Sequence, residues 1–444
     1  MSDIAASTTA TLTTERILKV RGGRVLRGDV FISGAKNAAL KAMAATLLTR
    51  DEVVLNNVPM LADVLSMAEL LRAFGAEVDV DRTQGRVSVQ AREITRTSAP
   101  PDLFRPTRAS VVAAGPMLAR CGEVSFVMPG GDKIGRRPID VHLRGFERMG
   151  ATVEQAGDVI TAKVDKLRGA RIYMDYPSHT GTENLLMAST LAAGKTVIFN
   201  ASAEPEVVWL GHLLNRMGAR ISGLGSPILT INGVERLNGV SDYILPDRLE
   251  AGSFAIGAVM TGGEVTLHDV REAHMLPLTE KLMEVGADVW FRQDRMLVRS
   301  GASLRSVDIQ TLPFPGFPTD LQAPFTALLT QASGVSRVHE RVYEDRLRYT
   351  SELRKMGADI RVDRIDNASE LLATSAEVHG PSQLRGARVV AIDIRAAICM
   401  VLAGLVADGE TELEEVYHVD RGYENFVEKL TNIGGDVEDT VPIV

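Results

Sequence analysis

One junction occurs six times along the chain and limits what it can fold into: the end of an amphipathic helix, a glycine, then a strand. The copies read LLRAFGAEVDV, FERMGATVEQ, LNRMGARISG, LMEVGADVWF, LRKMGADIRV and LTNIGGDVED. Their glycines are Gly75, Gly150, Gly218, Gly286, Gly357 and Gly434, roughly 70 residues apart. Glycine suits the place because it takes the left-handed conformation that ends a helix.

Two further elements share the period. One is a helix of small and apolar residues: NAALKAMAATLL, ASVVAAGPMLA, ENLLMASTLAA, SFAIGAVM, APFTALLTQA and AAICMVLAGLVA. Helices apolar on most faces and this short are core helices, not membrane spans. After each comes a strand running into a polar turn, as in EVVLNNVP, KTVIFNASAEPE and TELEEVYHVDRGYE. The unit is therefore buried helix, strand, turn, amphipathic helix, glycine, strand.

At 444 residues the chain exceeds one ordinary core. The period is longer than common solenoid repeats, which favours closed packing over an open array. The expectation is an α/β fold of six repeated β/α units in two domains, three units per domain. Each domain places three buried helices inside, sheets outside and the amphipathic helices over the sheets.

Net charge is −8, which argues against a general nucleic-acid or anionic-membrane coat. Positive charge that grips an anion must then be concentrated in a cleft. Cys121 and Cys399 lie in apolar surroundings without CxxC or Cys/His spacing, so two buried free thiols in a reducing cytoplasm are expected. The opening MSDIAASTTATLTTE has no signal-peptide pattern and reads as a frayed tail over residues 1–15. No apolar run approaches the ~20 residues of a membrane helix.

The starts of the buried helices carry unusual residues: Lys36 and Asn37, Arg108, Ser178 with His179 and Thr180, Asp247 with Arg248, Asp320, and Arg395. A helix N-terminus favours anions, so a basic side chain there is disfavoured unless an anion binds. Lys36, Arg108 and Arg395 hold corresponding places in three units, which favours an anion site over solvated charges. Arg137, Arg346 and Arg421 in the turns add groups suited to bidentate grip on phosphate or carboxylate. No Walker loop, Rossmann GxGxxG, GxSxG or HExxH pattern is present. Asp320 reads either as an acid–base group whose apolar setting raises its pKa or as a helix cap. Asp393 could orient Arg395 or cap its helix. In MPGGDKIGRRP (128–138) Asp132 stands among Lys133, Arg136 and Arg137. A surface turn and an acid aimed at an anionic substrate both fit.

SGAKNAAL, PGGDKIGRRP, LPDRLE, FPTDLQA, DIRA and YHVDRGYE occur in that order. With them the chain resembles the UDP-N-acetylglucosamine 1-carboxyvinyltransferase family of enolpyruvyl transferases, from about Leu18 to about Val437. The resemblance implies a two-domain inside-out α/β barrel with a ligand cleft, residues 35–246 forming one domain and 16–34 plus 247–444 the other. It implies transfer of the enolpyruvyl group of phosphoenolpyruvate to the 3′-hydroxyl of UDP-N-acetylglucosamine in the cytoplasm. No metal, organic cofactor, nucleic acid or membrane is implied. Lys36 and Arg137 would hold the phosphate of phosphoenolpyruvate, and Arg395 and Arg421 its carboxylate side. Asn37 would contact the sugar, and Asp320 would be the base near the 3′-hydroxyl. Arg108 and Arg346 would line the cleft, with Asp393 near the adduct. Ser178, His179 and Thr180 would meet the diphosphate, and Val342 would lie near the uridine.

Two departures stand out. Tyr176 replaces a lysine common in the family, a charge that Lys133 or Arg136 could restore. Asp132 replaces a loop cysteine, so an epoxide that alkylates that thiol should not inactivate this chain. Three nearby cations stabilise the Asp132 carboxylate, so it is expected to act as an acid only in the substrate-loaded, closed state. Two other readings stay open: a non-catalytic binder of UDP-sugar, which would need damaged chemistry, and the sister shikimate-type transferase, which would show a different lysine loop.

Overall fold

The structure is a computed structural model that describes residues 16–105, 107–132, 134, 135, 137–364 and 374–440. The tail expected over residues 1–15 lies outside the described residues.

The six apolar segments are buried helices: Lys36–Ala45, Ala114–Cys121, His179–Thr190, Arg248–Met260, Thr319–Leu329 and Ile394–Val406. The second is preceded by a 3₁₀ turn, Arg108–Ala113. Pro116 explains the switch, because its ring nitrogen cannot donate back to the preceding turn. All six marker glycines have positive φ, from +98° to +116°. Each ends its amphipathic helix as a left-handed residue.

Among the described residues there are five four-stranded sheets and one three-stranded sheet. Each unit holds more strand than the sequence suggested. The strand after the marker glycine turns back as a hairpin, as in Glu77–Asp81 with Arg86–Gln90. The returning strand pairs antiparallel with the strand that follows the buried helix, here Val53–Asn56. A short parallel strand closes the other edge, here Val240–Tyr243. In the sixth unit the N-terminal strand Ile17–Arg21 does the returning, pairing with Glu410–Glu414 and Asp436–Thr440. The amphipathic helices rest against the buried helices as well as against the strand after the glycine. A helix that is apolar all round needs more cover than a sheet on one side gives.

Buried apolar residues form two core clusters. One runs from Ala35 to Leu245; the other takes Leu18–Ile32 and Leu249–Ile433. The chain passes between the cores at two points that lie side by side. Gly34 bridges to Pro246, the Ala35 N–H donates to the Leu245 carbonyl at 2.8 Å, and the Asp247 N–H donates to Ser33 at 2.8 Å. A Cβ on Gly34 would lie 1.8 Å from the Asn57 carbonyl oxygen, so no other residue fits there. Cys399 is buried, whereas Cys121 is only partly so; both are free thiols. Among the described residues no helix is long and apolar enough to cross a membrane.

The marker glycines separate backbone strain from crowding. At Gly150 an added Cβ meets nothing within 4 Å, while at Gly75 it would lie 2.6 Å from Thr95 Oγ1. Gly150→Ala should cost about 1 kcal/mol from its positive φ alone. Gly75→Ala should cost about 1–2 kcal/mol more from overpacking. Urea unfolding of the two variants checks this, and equal losses would contradict it.

Candidate active site

A cavity of about 1450 Å³ takes its wall from both cores. Among the described residues twelve Lys and Arg side chains line it, including Lys36, Arg108, Arg137, Arg346, Arg395 and Arg421. So do Asn37, Asp132, Ser178, His179, Thr180, Asp320 and Val342, drawn from four of the six units. Asp393 does not. Its Oδ1 accepts from the Arg395 and Ala396 N–H groups at 2.8 and 3.0 Å, so it caps the sixth buried helix.

Lys36, the first residue of its helix, is buried where it meets the other core. Its Nζ lies 3.2 Å from Asp63 Oδ2 and donates to the Arg421 carbonyl at 3.1 Å. Burial pushes the Lys36 ammonium below its ordinary pKa; Asp63 opposes this, and Arg395 and Arg421 add to it. Asp63 also accepts from Arg421 Nε at 3.0 Å. Burial alone would raise Asp63, but Lys36 and Arg421 outweigh it and hold the carboxyl below its ordinary value. Sequence reasoning missed Asp63, which sits in the first turn of an amphipathic helix where an acid is unremarkable.

Asp320 corrects both expectations. It is not the cap, which is Pro318, but the second residue of Thr319–Leu329. Its setting is not apolar either. Arg346 Nη2 meets Oδ1 at 2.8 Å and Arg395 Nη2 meets Oδ2 at 2.9 Å. Burial raises the carboxyl, but the two guanidiniums win and hold it well below the usual carboxylate range. Arg395 also donates to the Tyr423 hydroxyl at 3.0 Å. Arg346 Nε is buried and makes no hydrogen bond among the described residues.

The glycine loop folds down onto the second core. Asp132 Oδ1 accepts from Arg421 Nη1 at 3.0 Å, and the Ile134 carbonyl accepts from the Asp345 N–H at 3.2 Å. Asp132 is thus paired with a cation 289 residues away. Lys133 and Arg136, the charges that could replace a lysine at Tyr176, lie outside the described residues. Arg137 stacks over Tyr343 at 5.6 Å. Burial first, and then Arg137, pushes the Arg108 guanidinium down to about 10. Among the described residues neither Arg108 nor Arg137 has a carboxylate partner, so this pair is open to an anion.

Ser178 caps His179–Thr190, its Oγ accepting from the Gly181 N–H at 3.1 Å. Arg248 crosses between the cores to Glu204 and Glu206, the latter at 3.0 Å. Of the three basic side chains expected to await an anion at helix starts, Lys36 and Arg395 already hold carboxylates and only Arg108 does not.

Such a wall suits an enzyme of anionic substrates: fixed cations can stabilise charge in transfer, and carboxylates stand among them. The fold is shared with the enolpyruvyl transferase NikO from Streptomyces tendae, at a TM-score of 0.85 and 24% identity, covering 96% of this chain and 100% of that one. It is shared with an EPSP synthase from Acinetobacter baumannii at a TM-score of 0.72 and 18% identity, with the same coverage. The family profile of EPSP synthase (3-phosphoshikimate 1-carboxyvinyltransferase) matches residues 20–430. A protein named UDP-N-acetylglucosamine 1-carboxyvinyltransferase from Magnetococcus marinus is 49% identical over 420 residues, 94% of this chain and 98% of that protein. One named UDP-N-acetylglucosamine 1-carboxyvinyltransferase 2 from Carboxydothermus hydrogenoformans is 47% identical over 421 residues, again 94% and 98%. The chain belongs to the UDP-N-acetylglucosamine 1-carboxyvinyltransferase family.

Asp63→Asn leaves Lys36 and Arg421 without their shared carboxylate and should destabilise the protein by about 3 kcal/mol at pH 7. The Asp63 pKa is depressed on folding, so its contribution is present above its unfolded pKa of about 4 and is lost as pH falls through the lower folded value. The stability gap between wild type and variant should therefore narrow below about pH 4. A gap independent of pH, followed by urea unfolding, would contradict this.

Proposed function

We propose that the chain transfers the enolpyruvyl group of phosphoenolpyruvate to the 3′-hydroxyl of UDP-N-acetylglucosamine with release of phosphate, the first committed step of peptidoglycan precursor synthesis, in the cytoplasm. The observation that carries the reading is the convergence of Lys36, Arg108, Arg137, Arg346, Arg395 and Arg421 with Asp132 and Asp320 on one cavity in a chain of this family. We read the two cores as two inside-out α/β domains of three units each, residues 35–246 and residues 16–34 plus 247–444. The two hydrogen-bonded crossings support that division.

The reaction runs by addition and elimination. Lys36 and Arg137 hold the phosphate, Arg395 and Arg421 the carboxylate, and Asn37 the sugar. Arg108 and Arg346 complete the wall, and Asp393 acts through the Arg395 backbone that it caps. Ser178, His179 and Thr180 take the diphosphate, and Val342 borders the uridine. Asp132 delivers a proton to the methylene carbon while the 3′-oxygen bonds to C2 and its proton passes to Asp320. The tetrahedral adduct then loses a proton from the methyl carbon and expels phosphate, restoring the enol ether. As written, no metal or organic cofactor enters.

The ion pairs give these steps an order. Arg421 is engaged by Asp63 and Asp132, and Arg395 by Asp320. An incoming carboxylate competes for both guanidiniums. A carboxylate that exchanges a guanidinium for a phosphate dianion takes up a proton more readily, which suits Asp132 to acid work in the loaded site. Asp320, held strongly ionised in the free protein, becomes a better base as its arginines turn to substrate.

Purified protein given phosphoenolpyruvate should release phosphate with UDP-N-acetylglucosamine and not with shikimate 3-phosphate. Asp132→Asn and Asp320→Asn should lower the rate by about 10²-fold or more, while Asp132→Cys keeps it. Release with shikimate 3-phosphate alone, or with neither acceptor, overturns the proposal. A thiol-directed epoxide should leave the wild type active and inactivate Asp132→Cys.

A further inference from the structure

The reaction above uses His179 but not the two buried charges beside it, Lys41 and Glu183. Lys41 lies one helical turn beyond Asn37 on Lys36–Ala45, and its side chain is only 4% exposed. Its Nζ stands 3.5 Å from Oε2 of Glu183, a fully buried carboxylate on His179–Thr190. Among the described residues the Lys41 ammonium makes no hydrogen bond, and Glu183 Oε2 has no hydrogen-bond partner. The other oxygen, Oε1, lies 3.1 Å from His179 Nε2. Lys41 and His179 both line the cavity, and the imidazole is 26% exposed.

An ionised carboxylate sealed from water needs positive partners. Glu183 has two. With His179 protonated the trio carries one net positive charge at the cavity wall. The ring chemistry adds a condition. Nε2 is taken by Glu183, and Nδ1 makes no hydrogen bond among the described residues. Only the imidazolium can donate at both nitrogens.

We propose that Glu183 holds His179 as an imidazolium whose Nδ1–H, together with the Lys41 ammonium, binds the diphosphate of the nucleotide sugar. His179 and Lys41 are then specificity residues and Glu183 a positioning residue. This rests on the function proposed above. The surroundings agree. Burial lowers the pKa of His179, but Glu183 and the more distant Glu206 outweigh it against Lys41, and the net direction is up. Glu206, on Pro205–Arg216, is itself held by Arg248 at 3.0 Å. From Asp140–Arg148, His142 hydrogen-bonds Asn184 at 2.9 Å, and burial with Arg108 pushes it down to about 3, so it stays neutral. On the same helix Asp140 and Arg144 pair with each other at 3.3 Å.

A histidine whose folded pKa is raised loses its charge as pH rises through that value. Calorimetric titration of the wild type with UDP-N-acetylglucosamine should show affinity falling roughly tenfold as pH rises above the ordinary imidazole range, with proton uptake on binding over the same interval in buffers of different ionisation enthalpy. His179→Gln, on the cavity surface, should bind roughly tenfold more weakly at pH 6.5, with a flat pH profile and no proton uptake. Lys41→Met should weaken binding but keep the pH dependence, and Glu183→Gln should move the fall to lower pH. A merely structural role would lower affinity equally at every pH and is excluded by the uptake measurement. Wild-type binding that is independent of pH and takes up no proton overturns the relay alone. No binding at any pH overturns the relay and the proposed function together.

Discussion

The Asp63 carboxylate, shared between Lys36 and Arg421, is the contact on which the rest of the site depends. It joins a side chain at the first buried helix to one from the opposite core. So many cations could not line one cavity of a protein with net charge −8 without such partners. Asp63, Asp132 and Asp320 between them hold Lys36, Arg346, Arg395 and Arg421. Arg108 and Arg137 are left over. The wall is thus short of negative charge, which an anionic substrate supplies.

The same logic governs how the two cores meet. The crossings at Gly34 and Pro246 are hydrogen-bonded to each other, and a carboxylate network braces them. Glu424 accepts from Ser33 Oγ and from the Met60 N–H, both at 2.7 Å, so it ties the first crossing to the far core. Glu250 accepts from the Ser33 N–H at 2.7 Å and from Lys429 at 2.6 Å, and burial pushes its carboxyl up to about 7. The glycine loop adds a contact at the cavity mouth through Asp132. The Asp132–Arg421 pair joins two residues of the cavity wall across the cores, so binding and relative placement of the cores share that ion pair.

Much of this could be read from the sequence because repeats and motifs are local. Gly75 and its five counterparts announced left-handed helix ends, and all six have positive φ. The buried helices and the residues at their starts were equally legible, since small apolar residues in a run have few other uses. What was hidden is what lies far apart in the chain. The partners of Asp320 are 26 and 75 residues away, so an apolar local context gave the wrong sign for its pKa. Asp63 and Arg421 are separated by 358 residues. Lys41 and Glu183 sit within runs otherwise apolar, and that anomaly was a usable signal: a charge in a wholly buried helix needs a partner. The returning hairpin strand escaped because residues such as Arg86–Gln90 alternate only briefly before a polar stretch.

The account stands on proton delivery to the methylene carbon of phosphoenolpyruvate, followed by loss of a proton from a methyl group that has become part of the adduct. The direct measurement is the reaction in D₂O, stopped early, with product and residual phosphoenolpyruvate examined by mass spectrometry and proton NMR. The account predicts deuterium at the vinyl methylene of the product, because the proton lost from the CH₂D group need not be the one added. Enolpyruvyl product formed at full rate with no deuterium at that carbon would contradict it.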